Sequence, residues 1–313
     1  MERIDATIVI PALNSEKTIS NCLNSIRSNE TKYNYEIIVV DAGSDDHTVE
    51  MARYYTNHVI QGKPSAINRN KGIEAARGEI ICFTDSDCVV PENWLDGLID
   101  SLRELNAKDS KIVGVGGPNV PLSGNKSPVE SAITHAMRSP FISFKARNTA
   151  TYKKYREVTH NPPMNSACFK RVLEEVGGFV EEPGYPEDLD LDARIISRNY
   201  KLFYLPEVLV YHKAKSNIDS FVRQMRDFGI KRCRVNRRHH HIARFYHYGP
   251  LFLCLMLFSP LFIIPLAMAL ANALFVSLKN RAFKLFFLMI RLTIDFYLYY
   301  GSGEIKAIME SIS

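Results

Sequence analysis

Glu79-Ile-Ile-Cys-Phe-Thr-Asp-Ser-Asp87 is the stretch on which the fold turns. A short apolar run that ends abruptly on polar residues reads as a buried strand surfacing at its carboxyl end. Side chains at i and i+2 of a strand face the same way, so Asp85 and Asp87 converge as the chain leaves the sheet, while Ser86 points away. Two hard oxygen donors at a strand end suit Mg²⁺ or Mn²⁺, which would in turn neutralise a diphosphate. So short a motif also fits a solvated turn.

The flanking sequence repeats this texture. Residues 6–10, 36–40, 58–60, 79–84 and 111–115 are short β-rich runs, and residues 16–27, 48–55, 65–77 and 93–105 are helical stretches between them. Alternation at this spacing predicts right-handed crossovers, an α/β fold and a mostly parallel, Rossmann-like sheet. Ligands of such sheets gather at the carboxyl ends of the strands. Polar clusters follow the strands accordingly, at residues 11–14, 41–46 and 85–87. From 117 to 163 the pattern loosens into Pro, Gly, Ser and isolated aromatics. Regular structure is expected again at 169–176, with a helix over 187–198 and a strand over 202–211.

Other residues have the chemistry to join Asp85 and Asp87. Asp41 opens Asp41-Ala-Gly-Ser-Asp-Asp46, where a carboxylate can accept a base N–H and Gly43 permits close backbone approach. A strand-to-helix turn with Asp46 or Thr48 as the cap is the competing reading. Arg69 lies on or beside a helix and its guanidinium can fork onto a phosphate, unless it belongs to an exposed helix face. Glu187-Asp-Leu-Asp-Leu-Asp192 opens a helix after Pro186, as the helix dipole alone favours. Asp188 and Asp192 share a face of that helix, and one of these acids can serve as a general base. His212, after a predicted strand, can complete a metal site or be structural.

These segments, in this order, resemble the family 2 glycosyltransferases of the GT-A fold. The matching pieces are Ile10-Pro-Ala-Leu-Asn14, Val40–Asp46, Arg69-Asn-Lys-Gly72, Thr84-Asp-Ser-Asp87 and Glu187-Asp-Leu-Asp190. The resemblance implies that Asp41 contacts a uracil-type base with Pro11 packing nearby, and that Ala12, Asn14, Gly43 and Ser86 line the nucleotide-sugar site. It implies that Arg69 lies near the diphosphate, that Asp85 serves the ribose or the metal, and that Asp87 binds the metal. Asp188 would be the catalytic base with Glu187 beside it, and His212 would support the metal or phosphates. The reaction implied is a single inverting displacement from a UDP- or GDP-sugar.

The C-terminal third sets the expected location. Between Arg223 and Arg244 eight Lys/Arg face one acid, Asp227, so a single segment holds the whole net charge of +5. That distribution fits a local anionic partner such as membrane lipids, and no nucleic acid is expected. Residues 245–278 contain no Lys, Arg, Asp or Glu, more than enough apolar chain for one crossing, with Pro260 and Pro265 able to break it. A second apolar stretch, 283–300, carries Lys284, Arg291 and Asp295. The adjoining basic block favours the cytoplasmic face of a membrane over a buried helical pair. The triple His239–His241 inside this block reads as part of the same surface patch.

This arrangement resembles the subgroup of the family that makes succinoglycan-type exopolysaccharides and archaeal lipid-linked glycans, down to the end Tyr299-Tyr-Gly-Ser-Gly303. It implies a polyprenyl- or lipid-linked saccharide acceptor. Gln224-Met-Arg-Asp-Phe228 departs from the Gln-x-x-Arg-Trp of processive relatives, which points to one sugar per encounter.

The expected organisation is a catalytic domain over 1–215 (nucleotide-sugar half 1–117, acceptor half 118–215), a basic amphipathic region 216–244, membrane helices 245–303 and a tail 304–313. A nucleotidyltransferase is the main competing enzyme class, but the loop after the first strand, Ile10-Pro-Ala-Leu-Asn-Ser-Glu16, has no Gly and no basic residue. A non-catalytic scaffold would not need the full set of acids. The N-terminus reads directly as a strand, so no secretory signal is expected. The six cysteines show no CxxC spacing and fit reduced thiols in a cytosolic setting.

Overall fold

The computed structural model describes residues 3–63, 66–122, 127–143, 154–182, 184–212 and 217–312. The chain forms two compact units, residues 1–121 with 152–213 and residues 122–151 with 214–313. Residues 122–151, expected in the acceptor half of the catalytic domain, therefore group with the C-terminal helices.

In chain order the first unit begins β1 (Ala6–Ala12), α1 (Ile19–Arg27), β2 (Tyr35–Asp41), α2 (Thr48–Arg53), β3 (Val59–Gln61) and α3 (Ala66–Ala75). It continues β4 (Ile80–Thr84), β5 (Cys88–Val89), α4 (Trp94–Lys108), β6 (Ile112–Gly116) and β7 (Asn119–Pro121). After α5 (Pro128–Met137) and α6 (Pro140–Ser143) of the second unit come β8 (Arg156–Val158), β9 (Asn165–Phe169), α7 (Lys170–Glu175), α8 (Glu187–Ser197), β10 (Lys201–Tyr204) and β11 (Val210–His212). Helices α9 (Ile218–Arg238), α10 (Gly249–Leu257), α11 (Ile263–Asn280) and α12 (Phe286–Met309) complete the second unit. The N-terminal strand–helix alternation is as the sequence predicts; Ser65 and Ser216, expected helix starts, lie outside the described residues.

The main sheet has eight strands in the order β3-β2-β1-β4-β9-β6-β10-β8. Strands β1, β2 and β4 are buried almost throughout, as expected where helices cover both faces of a parallel sheet. The pairs β1–β2, β1–β4, β2–β3 and β6–β10 are parallel, whereas β9 runs antiparallel between β4 and β6. The fold is GT-A, mostly parallel with helices. Strand β9, between the loose stretch ending at 163 and the regular structure expected from 169, was not predicted, because its five residues pair only with chain some fifty or more positions away. The predicted strand 202–211 divides in two. Pro206 has no N–H to extend a ladder, so β10 stays in the main sheet and β11 joins a second sheet of order β5-β11-β7.

Two buried polar groups tie the first unit together. Asn165, wholly buried at the start of β9, accepts from Trp94 Nε1 (2.8 Å) and donates to Pro118 O (3.1 Å) and Val208 O (2.8 Å). Glu36 on β2 accepts from Thr7 Oγ1 (2.8 Å), Arg77 N (2.7 Å) and Arg77 Nε (2.8 Å).

In the second unit α9 and α12 meet through glycines. A Cβ on Gly229 would lie 2.1 Å from Tyr300 O, and one on Gly303 would lie 2.2 Å from Arg226 O. Gly301 sits as closely against Cys254 of α10. The Tyr-Gly-Ser-Gly end is thus a packing seam. Helix α12 runs through it to Met309, so the expected break at 303 is not where the helix ends. Buried Asn272 of α11 donates to Thr293 Oγ1 of α12 at 2.7 Å. Residues Pro260–Asn280 form one helix long and apolar enough to cross a membrane, with a third of it buried.

Burial pushes the Glu36 carboxyl up, but its hydrogen bonds from Arg77 and Thr7 outweigh this and hold it below its ordinary 4.5. A carboxyl depressed in the folded state contributes stability above its unfolded value and loses it as pH falls through the folded one. Glu36→Gln is expected to lower unfolding free energy at pH 7 by about 1–3 kcal/mol. Chemical denaturation of both proteins below pH 4.5 should find the variant's stability less sensitive to acid than the wild type's.

Candidate active site

The expected strand-end residues of the first unit are arrayed along the carboxyl ends of β1, β2 and β4. Ala12 pairs with Asp41 in the parallel register and Pro11 with Val40. Asn14 adopts a left-handed φ of 47°, which lets its Oδ1 accept from Asp45 N (3.0 Å) while its own N–H donates to Ser44 Oγ (2.9 Å). Asp41 is buried, and its carboxylate folds its own turn: Oδ2 accepts from Gly43 N and Ser44 N, both at 2.9 Å, and Oδ1 from Ser44 Oγ at 2.5 Å. Gly43 takes a φ of 92°, which a side chain would resist. The N-cap position of α2 is His47, neither of the two expected cap residues; Asp46 lies one residue earlier and accepts from Thr48 N at 3.0 Å.

Beyond β4 the three residues Asp85-Ser86-Asp87 have separate partners. Asp85 accepts from Arg69 Nη2 at 3.1 Å. Ser86 points into the protein, its hydroxyl 2.8 Å from Ser15 Oγ. Asp87 Oδ2 lies 3.1 Å from His212 Nε2, because β11 pairs with β5 in a register that sets His212 opposite Cys88. The expected trio Asp85, Asp87 and His212 therefore resolves into a pair, with Asp85 drawn to Arg69. Among the described residues no three His, Cys, Asp or Glu gather closely enough to hold a metal ion by themselves. Burial pushes the thiol of neighbouring Cys88 up to about 12.

Helix α8 brings its acids to the same end of the sheet. Arg69 joins the two clusters, its Nη1 lying 3.4 Å from Glu187 Oε1 while Nη2 holds Asp85. Buried Asp190 pairs with Arg194 Nε at 2.6 Å. Asp192, also buried, lies 2.7 Å from His160 Nδ1 and accepts from Asn161 N at 2.9 Å. Asp188 is the more open acid, with His160 Nε2 at 3.8 Å from its Oδ2.

Residues 7–177 match the family model described as glycosyl transferase family 2. The chain belongs to glycosyltransferase family 2. It is similar to the glycosyltransferase AglE of Haloferax volcanii, 30% identical over 224 residues that make up 67% of each chain. It is also similar to the dolichyl N-acetyl-alpha-D-glucosaminyl phosphate 3-beta-D-2,3-diacetamido-2,3-dideoxy-beta-D-glucuronosyltransferase of Methanococcus voltae, 22% identical over 80% of this chain and 79% of the relative. Among solved structures, the mannosyltransferase PcManGT from Pyrobaculum calidifontis in complex with GDP-Man and Mn²⁺ superposes with a TM-score of 0.64 over 99% of this chain and 88% of its own. At 19% identity that likeness bears on the fold, which is the GT-A arrangement expected from the sequence.

The sequence reading of this glycosyltransferase overlooked two residues beside the acids. His160 sits in the irregular segment between β8 and β9, where a lone histidine has no periodicity to mark it. Asn70 was quoted only as part of a motif, yet it clamps the loop that leads into α8: its Nδ2 donates to Phe179 O (2.8 Å) and its Oδ1 accepts from Phe179 N (2.7 Å). Gly178 beside it adopts a φ of 65°, and a Cβ there would lie 2.6 Å from Asn70 Oδ1. Asn70→Ala is therefore expected to cost about 1–3 kcal/mol of stability. Hydrogen exchange should show faster opening at 178–182 in the variant than elsewhere in the first unit.

Proposed function

We propose that this glycosyltransferase moves a sugar from a GDP- or UDP-linked donor to a membrane-associated, lipid-linked acceptor by a single inverting displacement. The observation that carries the reading is the bridge made by Arg69, which links the strand-end acid Asp85 to the helix that presents Asp188. A donor diphosphate lying along the strand ends would meet Arg69 and the Asp87–His212 pair. Asp41 would accept the N–H of the base with the carboxylate capacity left over from its turn, with Pro11, Ala12, Asn14, Gly43 and Ser86 shaping the surrounding wall.

The Asp87–His212 pair fits a divalent cation. Asp87 Oδ2 and His212 Nε2, 3.1 Å apart, would hold it between a carboxylate and an imidazole. One carboxylate and one imidazole favour Mn²⁺ over Mg²⁺, since magnesium prefers oxygen alone. When bound, the ion would neutralise the leaving nucleoside diphosphate. Asp188 would take the proton from the acceptor hydroxyl as the new C–O bond forms on the face of the sugar opposite the departing phosphate, and the anomeric centre inverts. Glu187, held by Arg69, would keep the first turn of α8 in place beside it.

A bilayer location is supported by α11, whose Ile263, Leu274 and Leu278 are at least half exposed. The cationic segment from Arg223 to Arg244 supports a catalytic domain on the cytoplasmic side. The lipid-linked acceptor is supported by the dolichyl phosphate named for the Methanococcus voltae relative. Single addition follows from Asp227 and Phe228 at the places where processive relatives carry Arg-Trp.

The test is nucleotide release from GDP-mannose and UDP-N-acetylglucosamine by the purified full chain with Mn²⁺. Asp188→Asn should lower turnover by about 100-fold or more while donor affinity changes little. Full activity in that variant would sink the assignment of the base. Asp87→Asn and His212→Ala should each weaken Mn²⁺ binding by about 10–100-fold in titration calorimetry. Unchanged Mn²⁺ affinity in both would move the metal elsewhere.

A further inference from the structure

We infer that His160 is the positioning residue of the base, holding the Asp188 carboxylate oriented while Asp192 behind it holds the imidazole. The inference rests on the reading of Asp188 as the base. Its foundation is a graded line of three side chains. Asp192 is 8% exposed, His160 11% and Asp188 31%, so the line runs from the interior to the face that substrate can reach.

The hydrogen bonds orient the ring. Asp192 Oδ2 already accepts from Asn161 N at 2.9 Å, and at 2.7 Å it also faces His160 Nδ1. An ionised carboxylate can only accept, so Nδ1 carries a proton and Nε2 is aimed at Asp188. The separation of 3.8 Å is longer than a hydrogen bond. Catalytic contacts of this kind commonly tighten when substrate binds.

The other acids of α8 already have partners of their own. Helix α8 opens with Glu187, Asp188, Asp190 and Asp192 within six residues. Glu187 has Arg69 and Asp190 has Arg194, while His160 faces both remaining acids. Behind Asp192, Cys168 of β9 stays a neutral thiol because burial pushes it up, so it adds no charge. Burial also pushes the Asp192 carboxyl up, against the pull of His160 and the Asn161 N–H. The inner acid is thus the member that acid would neutralise early, and its loss would release the ring that serves Asp188.

The experiment compares wild type, His160→Gln and Asp192→Asn in Mn²⁺-dependent nucleotide release from GDP-mannose or UDP-N-acetylglucosamine, water serving as acceptor, from pH 5 to 9. Losing the ring that orients the Asp188 carboxylate would expose it to a different set of hydrogen-bond donors, so the acid limb of the rate profile should move upward. A shift of about 1 unit in His160→Gln is expected, with kcat near neutrality reduced about tenfold and donor KM nearly unchanged. Asp192→Asn, isosteric with the native side chain, should shift the limb in the same direction and carries the test if His160→Gln loses its thermal transition. Folded variants whose limbs coincide with wild type overturn the inference and leave Asp188 as the base. An active Asp188→Asn, or a wild-type chain inert towards both donors, overturns the underlying reading instead.

Discussion

Carboxylates converge at one end of the sheet of this glycosyltransferase, and like charges in a partly desolvated place repel unless each has a counter-charge. Asp85 and Asp87 arrive on the chain leaving β4, and four more acids arrive on α8. The surrounding architecture supplies partners from several directions. Arg69 comes from α3, Arg194 from the next turn of α8, His160 from the loop before β9 and His212 from the second sheet. Arg69 serves two of the acids at once with little of its side chain exposed, so it fixes the distance between the β4 and α8 clusters. Lysine in its place would be a single point charge without the guanidinium fork.

That convergence depends on long-range pairing. Strand β9 enters between β4 and β6 and sets Asn165 opposite Thr84, next to Asp85. Asn165 in turn takes the indole N–H of Trp94 and donates to the loops that follow β6 and β10. One wholly buried amide therefore ties together the helix, the strand and the two loops behind the acids. The loop after β10 leads to β11, which sets His212 against Asp87.

Much of the fold was legible because the N-terminal half is locally consistent. Apolar runs, turn residues and helical periods alternate there, and the predicted strands and helices fall within a few residues of those observed. The strand ends that hold Asp41, Asp85 and Asp87 could be read for the same reason. What could not be read was anything decided by distant pairing. Strand β9 has no distinctive pattern in five residues, and the split at Pro206 becomes meaningful only once two sheets compete for the chain. His160 was invisible because its partners lie 28 and 32 positions away on a helix face. Asp192 was placed correctly beside Asp188, but periodicity could not say that one would be buried and the other open.

Asp41, on the proposed reading, would serve structure and recognition together. Three of the four lone-pair sites of its carboxylate are taken by Gly43 N, Ser44 N and Ser44 Oγ. Those bonds force the tight turn that needs Gly43 at positive φ, and they hold the carboxylate rigid at the end of β2. On the proposed reading, the single acceptor position left over serves the donor's base. One N–H can satisfy it, and both uracil and guanine offer one in the ring. If Asp41 takes the base in this way, discrimination between the two bases would come from the shape of the wall around it, including the left-handed Asn14 turn bonded to Ser44, rather than from the carboxylate itself.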